Sequence, residues 1–136
     1  MVKIAAVYTG GLHCEVVHGP SGSRIETDAP VDNNGKGEKF SPTDLVGAAL
    51  ASCILTVMGI VAERDHIKLD GARVEVEKEM TTVPERRIGA LRAVVAMPSG
   101  IALKDRDKLE RTALHCPVHK SLHPDIAAPI SFVYPD

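Results

Sequence analysis

The most prominent pattern in the chain is an apolar run from Leu45 to Ala62, in which 18 consecutive positions carry no charge. We predict a helix that begins after Ser41, a good N-cap, with Pro42 at its first position and Asp44 three residues after the cap. It is expected to end near Asp65. A helix that is apolar on nearly all sides is a buried one. A chain of 136 residues can hardly surround it, so we expect a second subunit to cover it.

Short segments rich in β-forming residues flank this helix on both sides. Three of them precede it and are separated by glycine turns, which indicates a meander. Two others alternate charged and apolar residues across a turn, as in a hairpin with one exposed face. The order βββ-α-ββ-α-(α)-β favours an α+β fold with mostly antiparallel strands, in one domain over residues 1–136. The predicted strands are 3–9, 12–18, 23–27, 72–82, 87–97 and 130–134, and two shorter helices are predicted over 105–115 and 117–122.

Composition and charge exclude several classes of function. The net charge is −2, so we expect no nucleic-acid partner and no anionic membrane surface. Two Tyr, two Phe and no Trp are too few for a base-stacking platform. The apolar run has the length of a membrane span, but strand-like segments on both sides suggest parts of one sheet system, and we reject a span. The N-terminal apolar run is too short for a signal peptide, which predicts a cytoplasmic protein.

Two cysteines are the main candidates for chemistry. An intracellular chain seldom uses two cysteines that are distant in sequence as a structural disulfide, and it more often uses them for redox chemistry or metal binding. Cys53 lies in the middle of the long helix, too deep for the helix dipole to acidify it, so its local pattern fits core packing. Cys116 precedes Pro117 and either caps a short helix, where a thiolate is favoured, or is a buried cap where Pro117 ends the preceding helix. Cys14 is predicted to be a core or edge residue of the second strand.

Other polar residues leave alternatives open. Asp44 is either a helix cap or an acid in a site, and Arg24 is either a surface residue or a guanidinium near a thiol. A metal cluster is a further interpretation, although prolines interrupt the helix that would align its members, and we expect no metal. Its members would be Cys116, His115, His119 and His123.

Three segments together resemble the OsmC/Ohr family, in its divergent OsmC-like branch. They are Ser-Pro-Thr-Asp-Leu at 41–45, Ala-Ala-Leu-Ala-Ser-Cys at 48–53 and His-Cys-Pro-Val at 115–118. The resemblance implies an intertwined homodimer with the long helices at its centre. It also implies a thiol peroxidase without a cofactor, in which Cys53 attacks a hydroperoxide and becomes a sulfenic acid. Cys116 would resolve that acid as a disulfide, and an external dithiol would reduce the disulfide.

The chain departs from this family at two supporting positions. Typical members carry an Arg in the early strand-loop region and a Glu just after the helix-opening Pro, and Leu12 and Thr43 stand there in this chain. An arginine of the partner subunit is one candidate for the missing cation. Three functions are therefore carried forward: a peroxidase, a non-enzymatic protein that binds a small apolar ligand or senses redox state, and a metal-binding protein. The candidate supporting residues are Thr43, Asp44, Arg24, His13 and His115.

Overall fold

Glycine turns and β-forming residues build an antiparallel meander at the start of the chain, as the sequence predicts. The computed structural model describes residues Met1–Asp136 and divides them into two compact units, residues 1–46 and 47–136. The single domain over residues 1–136 stays a prediction. In the first unit the sheet order is β1-β2-β3. Its elements are β1 (Ile4–Gly10), β2 (His13–His18), β3 (Arg24–Asp28) and a 3-10 turn (Val31–Asn33).

The long helix, α1 (Pro42–Arg64), begins with a reciprocal capping box. The backbone N–H of Ser41 donates to Asp44 Oδ2 at 2.9 Å, and the backbone N–H of Asp44 donates to Ser41 Oγ at 3.0 Å. Two of the N–H groups that lack partners at a helix start are satisfied in this way. The predicted helix start and the capping role of Asp44 are therefore confirmed.

The second unit contains a β-hairpin and two shorter helices. Its sheet order is β4-β5-β6, with β4 and β5 antiparallel and β6 parallel to β5. A parallel neighbour needs a crossover connection, which α2 and α3 supply. The strands thus form two separate three-stranded sheets, where the sequence suggested parts of one sheet system. The elements are β4 (Arg73–Thr81), β5 (Arg87–Ala96), α2 (Leu103–Leu114), α3 (Pro117–Ser121) and β6 (Ile130–Val133).

One face of α1 supplies much of the core of this unit. Leu50, Ile54 and Met58 repeat every four residues on that face and are completely buried. The helix packs against the sheet at Gly47, where a Cβ would lie at ordinary van der Waals distance, 3.6 Å from a Val76 methyl and 3.8 Å from a Leu91 methyl. The other core side chains come from β5, the segment after it and α2: Ile88, Ala90, Leu91, Ala93, Val95, Met97, Ile101, Leu109 and Ala113.

The opposite face of α1 is not covered within the chain. Ser52 and Thr56 are exposed there, and Ile60 keeps 61% of its surface accessible. By length and composition alone α1 meets the criteria for a membrane-crossing helix, which core helices of soluble proteins also meet, and a third of its apolar window is buried. An apolar helix that one chain covers only partly is what the sequence predicts, and the second subunit stays a prediction.

Candidate active site

The second unit brings Cys53 and Cys116 together although 62 residues separate them in sequence. Cys53 is half-buried on α1, and Cys116 directly precedes α3 with no exposed surface. The Cys53 thiol is near enough to Cys116 to raise the pKa of the Cys116 thiol, and neither cysteine is in a disulfide. The structure thus holds the two cysteines as a reduced, neighbouring pair.

Cys116 is the N-cap of α3, as the sequence predicts. Its backbone is extended, with φ −62° and ψ 137°, and Pro117 occupies the first turn of the helix. The backbone N–H of His119 donates to Cys116 Sγ at 3.2 Å. The sulfur therefore takes the place that a serine or aspartate oxygen takes at most helix starts.

The expected acidification of Cys116 by this cap is wrong. Burial raises the pKa of the Cys116 thiol above its usual value, and the neighbouring Cys53 thiol raises it further. The N–H of His119 acts in the opposite direction but does not outweigh burial, because a thiolate without water is costly to form. Cys116 is consequently held as a neutral thiol at neutral pH.

Two histidines near Cys116 use ring nitrogens on backbone carbonyls. His119 Nε2 donates to the carbonyl of Ala128 at 2.8 Å, and His115 Nδ1 donates to the carbonyl of Arg111 at 2.7 Å. No three side chains among His, Cys, Asp and Glu converge in a way that would hold a metal ion. The metal-binding interpretation therefore has no geometric support.

A groove of about 580 Å³ runs beside the cysteine pair. Val57 on its wall lies one helical turn after Cys53, and Pro117 directly follows Cys116. Aliphatic side chains and the stems of cationic residues give it a largely apolar surface. Its lining residues are Val57, Lys108, Arg111, Thr112, His115 and Pro117.

The cations of this groove are paired with carboxylates. Lys108 Nζ contacts Asp65, and Arg111 Nε donates to Asp107 at 3.1 Å. Lys108 and Arg64 lower the pKa of Asp65 to about 2. Lys108 and Arg111 could not be singled out from the sequence, since each resembles a surface residue. Only their spacing indicated that they lie near the cysteine pair, because residues 108, 111, 112 and 115 share one face of the helical segment that leads to Cys116.

Comparisons with known proteins agree with this architecture. Residues 35–130 match the family model for OsmC-like proteins. A crystal structure of an osmotic stress induced and detoxification response protein from Psychrobacter arcticus is 41% identical over 98% of this chain and 96% of its own, with a TM-score of 0.91. The chain belongs to the OsmC-like family. No curated protein sequence matches it significantly.

More distant members share the fold of this OsmC-like chain. An organic hydroperoxide resistance protein OsmC from Legionella pneumophila is 19% identical, with a TM-score of 0.77, and covers 97% of this chain and 96% of its own. The organic hydroperoxide resistance protein OhrB of Bacillus subtilis is 18% identical, with a TM-score of 0.69, over 98% of each chain. These likenesses confirm the α+β fold predicted for the OsmC-like chain.

The supporting candidates at the start of α1 have structural partners in the first unit of the OsmC-like chain. Thr43 Oγ1 lies 3.2 Å from Ser41 Oγ, next to the capping box in which Asp44 takes part. Arg24 is exposed at the start of β3. The structure thus accounts for Asp44 as a cap.

The same unit contains a charged cluster around His13. Its Nδ1 lies 2.6 Å from Asp28 and its Nε2 lies 3.1 Å from Glu26. The hydrogen bond to Asp28 raises the pKa of His13, and the same bond lowers the pKa of Asp28. Leu12, at the position where the OsmC/Ohr resemblance places an arginine, has a left-handed backbone with φ 61°. The turn before β2 therefore presents an apolar side chain, and the strand begins with a histidine that two carboxylates contact.

Proposed function

We propose that this OsmC-like protein is a thiol peroxidase that reduces organic hydroperoxides or hydrogen peroxide. The observation that carries the proposal is the proximity of the Cys53 and Cys116 thiols, in an arrangement where Cys53 is partly accessible and Cys116 is buried. A peroxidase that resolves its sulfenic acid internally needs two such thiols.

The proposed reaction has two balanced steps. The Cys53 thiol loses its proton, and the thiolate attacks the outer oxygen of the hydroperoxide, which breaks the O–O bond. The leaving oxygen takes up that proton, so the products are the Cys53 sulfenic acid and an alcohol, or water when the substrate is hydrogen peroxide. Cys116 then attacks the sulfenic sulfur, a disulfide forms, and water leaves. An external dithiol reduces the disulfide by thiol–disulfide exchange and completes the cycle. No cofactor takes part.

Accessibility supports the assignment of roles to the two cysteines. Cys53 keeps part of its surface exposed, whereas Cys116 has no exposed surface, so a peroxide reaches Cys53 first. The apolar wall that Val57 and Pro117 form beside the pair suits the organic part of a hydroperoxide. His115 lines the same groove and is the supporting residue that this unit supplies. Thr43, Asp44 and Arg24 stay candidates from the first unit.

A homodimer is part of the proposal. Exposed apolar side chains lie on β1 and on α1. Ile4, Val7 and Tyr8 of β1 are each more than 60% accessible, and so is Ile60 of α1. Exposed apolar side chains of this kind are typical of protein interfaces. We also propose a cytoplasmic location, which suits three cysteines that are all free thiols.

The second candidate function is redox sensing or small-ligand binding without turnover. It is favoured by Leu12 and Thr43, which replace the arginine and glutamate expected from the OsmC/Ohr resemblance. A missing guanidinium would leave the thiolate and the developing peroxide charge with less stabilisation. The two functions differ in turnover. A sensor forms the disulfide once, whereas a peroxidase returns the disulfide to two thiols after each reaction and forms it again.

Peptide mass spectrometry and a turnover assay test the proposal. One equivalent of cumene hydroperoxide or hydrogen peroxide should join Cys53 to Cys116, and dithiothreitol should sustain repeated peroxide consumption. Cys53→Ser should abolish consumption, Cys116→Ser should accumulate a sulfenic acid trapped by dimedone, and Cys14→Ser is the matched control with full activity. Persistent free thiols after peroxide would refute the peroxidase, and a disulfide without turnover would favour the sensor.

A further inference from the structure

We propose that His119 is a positioning residue that holds Cys116 in place for disulfide formation with Cys53. The inference rests on the proposed function and concerns its second step. His119 does not touch the reacting peroxide in this proposal. It acts through Cys116, and two hydrogen bonds attach it to its surroundings.

The first attachment is to the thiol itself. The backbone N–H of His119 donates to Cys116 Sγ at 3.2 Å, which directs the sulfur at the start of α3. The second attachment is the His119 ring, whose Nε2 donates to the carbonyl of Ala128 at 2.8 Å. One residue thus connects the Cys116 sulfur to a segment nine positions further along the chain.

That segment is itself fixed to the sheet. The N–H of Leu91 donates to the carbonyl of Ala127 at 2.8 Å, and the N–H of Ala127 donates to the carbonyl of Gly89 at 3.0 Å. Leu91 belongs to β5 and is completely buried. The His119 ring therefore ties α3 to the most buried strand of the unit.

A five-residue helix needs such a tie. Isolated helices of this length are not stable, because the cost of nucleation exceeds what so few hydrogen bonds return. Disulfide formation requires the two sulfurs to approach to about 2 Å with defined torsion angles. A loosened α3 would sample that geometry less often, so closure would slow while attack on Cys53 would not.

The chemistry of the ring bond defines matched variants. A carbonyl only accepts, so His119 Nε2 carries the hydrogen. The amide nitrogen of Gln has a similar reach and donates, whereas Leu has similar bulk and no donor, and the amide of Asn is too short. We expect His119→Gln to behave as wild type, and His119→Leu and His119→Asn to be impaired.

Ring closure can be measured without any peroxide. In a Cys14→Ser background, Ellman's reagent converts Cys53 to a mixed disulfide and releases one thionitrobenzoate. Attack by Cys116 then forms the Cys53–Cys116 disulfide and releases a second thionitrobenzoate, a phase that Cys116→Ser should lack. We expect His119→Leu and His119→Asn to slow this second phase about tenfold, as loss of one hydrogen bond allows. The first phase should be unchanged, and His119→Gln should restore the second.

The outcomes separate this inference from the proposed function. Wild-type closure in His119→Leu would overturn the inference, and so would equal slowing in His119→Gln and His119→Leu. If His119→Leu fails to fold, the comparison of His119→Asn with His119→Gln decides the matter. His123→Gln, at an exposed turn, is the control that should close at the wild-type rate. Normal closure with no peroxide consumption would leave the inference standing and remove the peroxidase.

Discussion

Oxidation of the cysteine pair is expected to stabilise the protein against unfolding by about 3 kcal/mol. The disulfide would close a loop of about 63 residues between Cys53 and Cys116, which restricts the unfolded chain. The chain-entropy relation gives about 4 kcal/mol for a loop of this length. Loss of the thiol as acceptor for the His119 N–H offsets about 1 kcal/mol of that gain.

Urea unfolding measures this difference directly. The protein is treated with one equivalent of hydroperoxide or with dithiothreitol, and both samples are unfolded at the same protein concentration, because dimer dissociation would make the midpoint concentration-dependent. With a denaturant slope of about 2 kcal/mol/M, the oxidised midpoint should lie roughly 1.5 M higher. Cys116→Ser, treated identically, is the control in which no shift is expected.

Two results would refute the reasoning. An unchanged midpoint in a sample whose mass spectrum shows the Cys53–Cys116 disulfide would mean that closure strains the native fold by as much as it restricts the unfolded chain. An equal shift in Cys116→Ser would mean that the stabilisation comes from oxidation of the two remaining thiols, Cys14 and Cys53, and not from the Cys53–Cys116 disulfide.

Three further predictions concern the first unit and the start of α1. Ser41→Ala should lower the free energy of unfolding by about 1 kcal/mol, because it removes the buried cap oxygen, and an unchanged urea midpoint would contradict this. Gly35→Ala should destabilise the loop before α1, because its Cβ would fall 1.7 Å from the Ala29 carbonyl oxygen, and limited proteolysis faster than in wild type should report it. The bond between His13 and Asp28 should stabilise the fold fully below pH 6.5 and lose its effect as the pH rises through the raised pKa of His13. The urea midpoint should therefore fall as the pH rises over that range in wild type and change less in His13→Gln. The same pH dependence of the midpoint in both proteins would contradict the prediction.

Features set by neighbouring residues could be predicted from the sequence. The capping box of Ser41 and Asp44 and the cap formed by Cys116 depend on residues within three positions of each other. The alternation of β4 gave its exposed and covered faces for the same reason. Local chemistry fixes these features, and tertiary packing did not override them.

Features set by distant residues could not be predicted in this way. The parallel pairing of β6 with β5 joins segments that are far apart in sequence, and no local pattern encodes the direction of such a pairing. The bond from the His119 ring to the Ala128 carbonyl also depends on how the chain returns after α3. The proximity of Cys53 and Cys116 was expected only through the family resemblance, since neither residue carries local evidence of the other.

Burial, more than helix position, distinguishes the two thiols. Local rules favoured Cys116 as the activated one, but its complete burial raises its pKa and keeps it protonated. In the proposed second step Cys116 must give up this proton as its sulfur attacks, because the thiolate is the nucleophile. Condensation of a sulfenic acid with a thiol releases water, and the Cys116 proton leaves with the hydroxyl group of oxidised Cys53. Because Cys116 has no exposed surface, it is suited to attack a neighbouring sulfenic acid, and Cys53 is left as the group that a peroxide reaches.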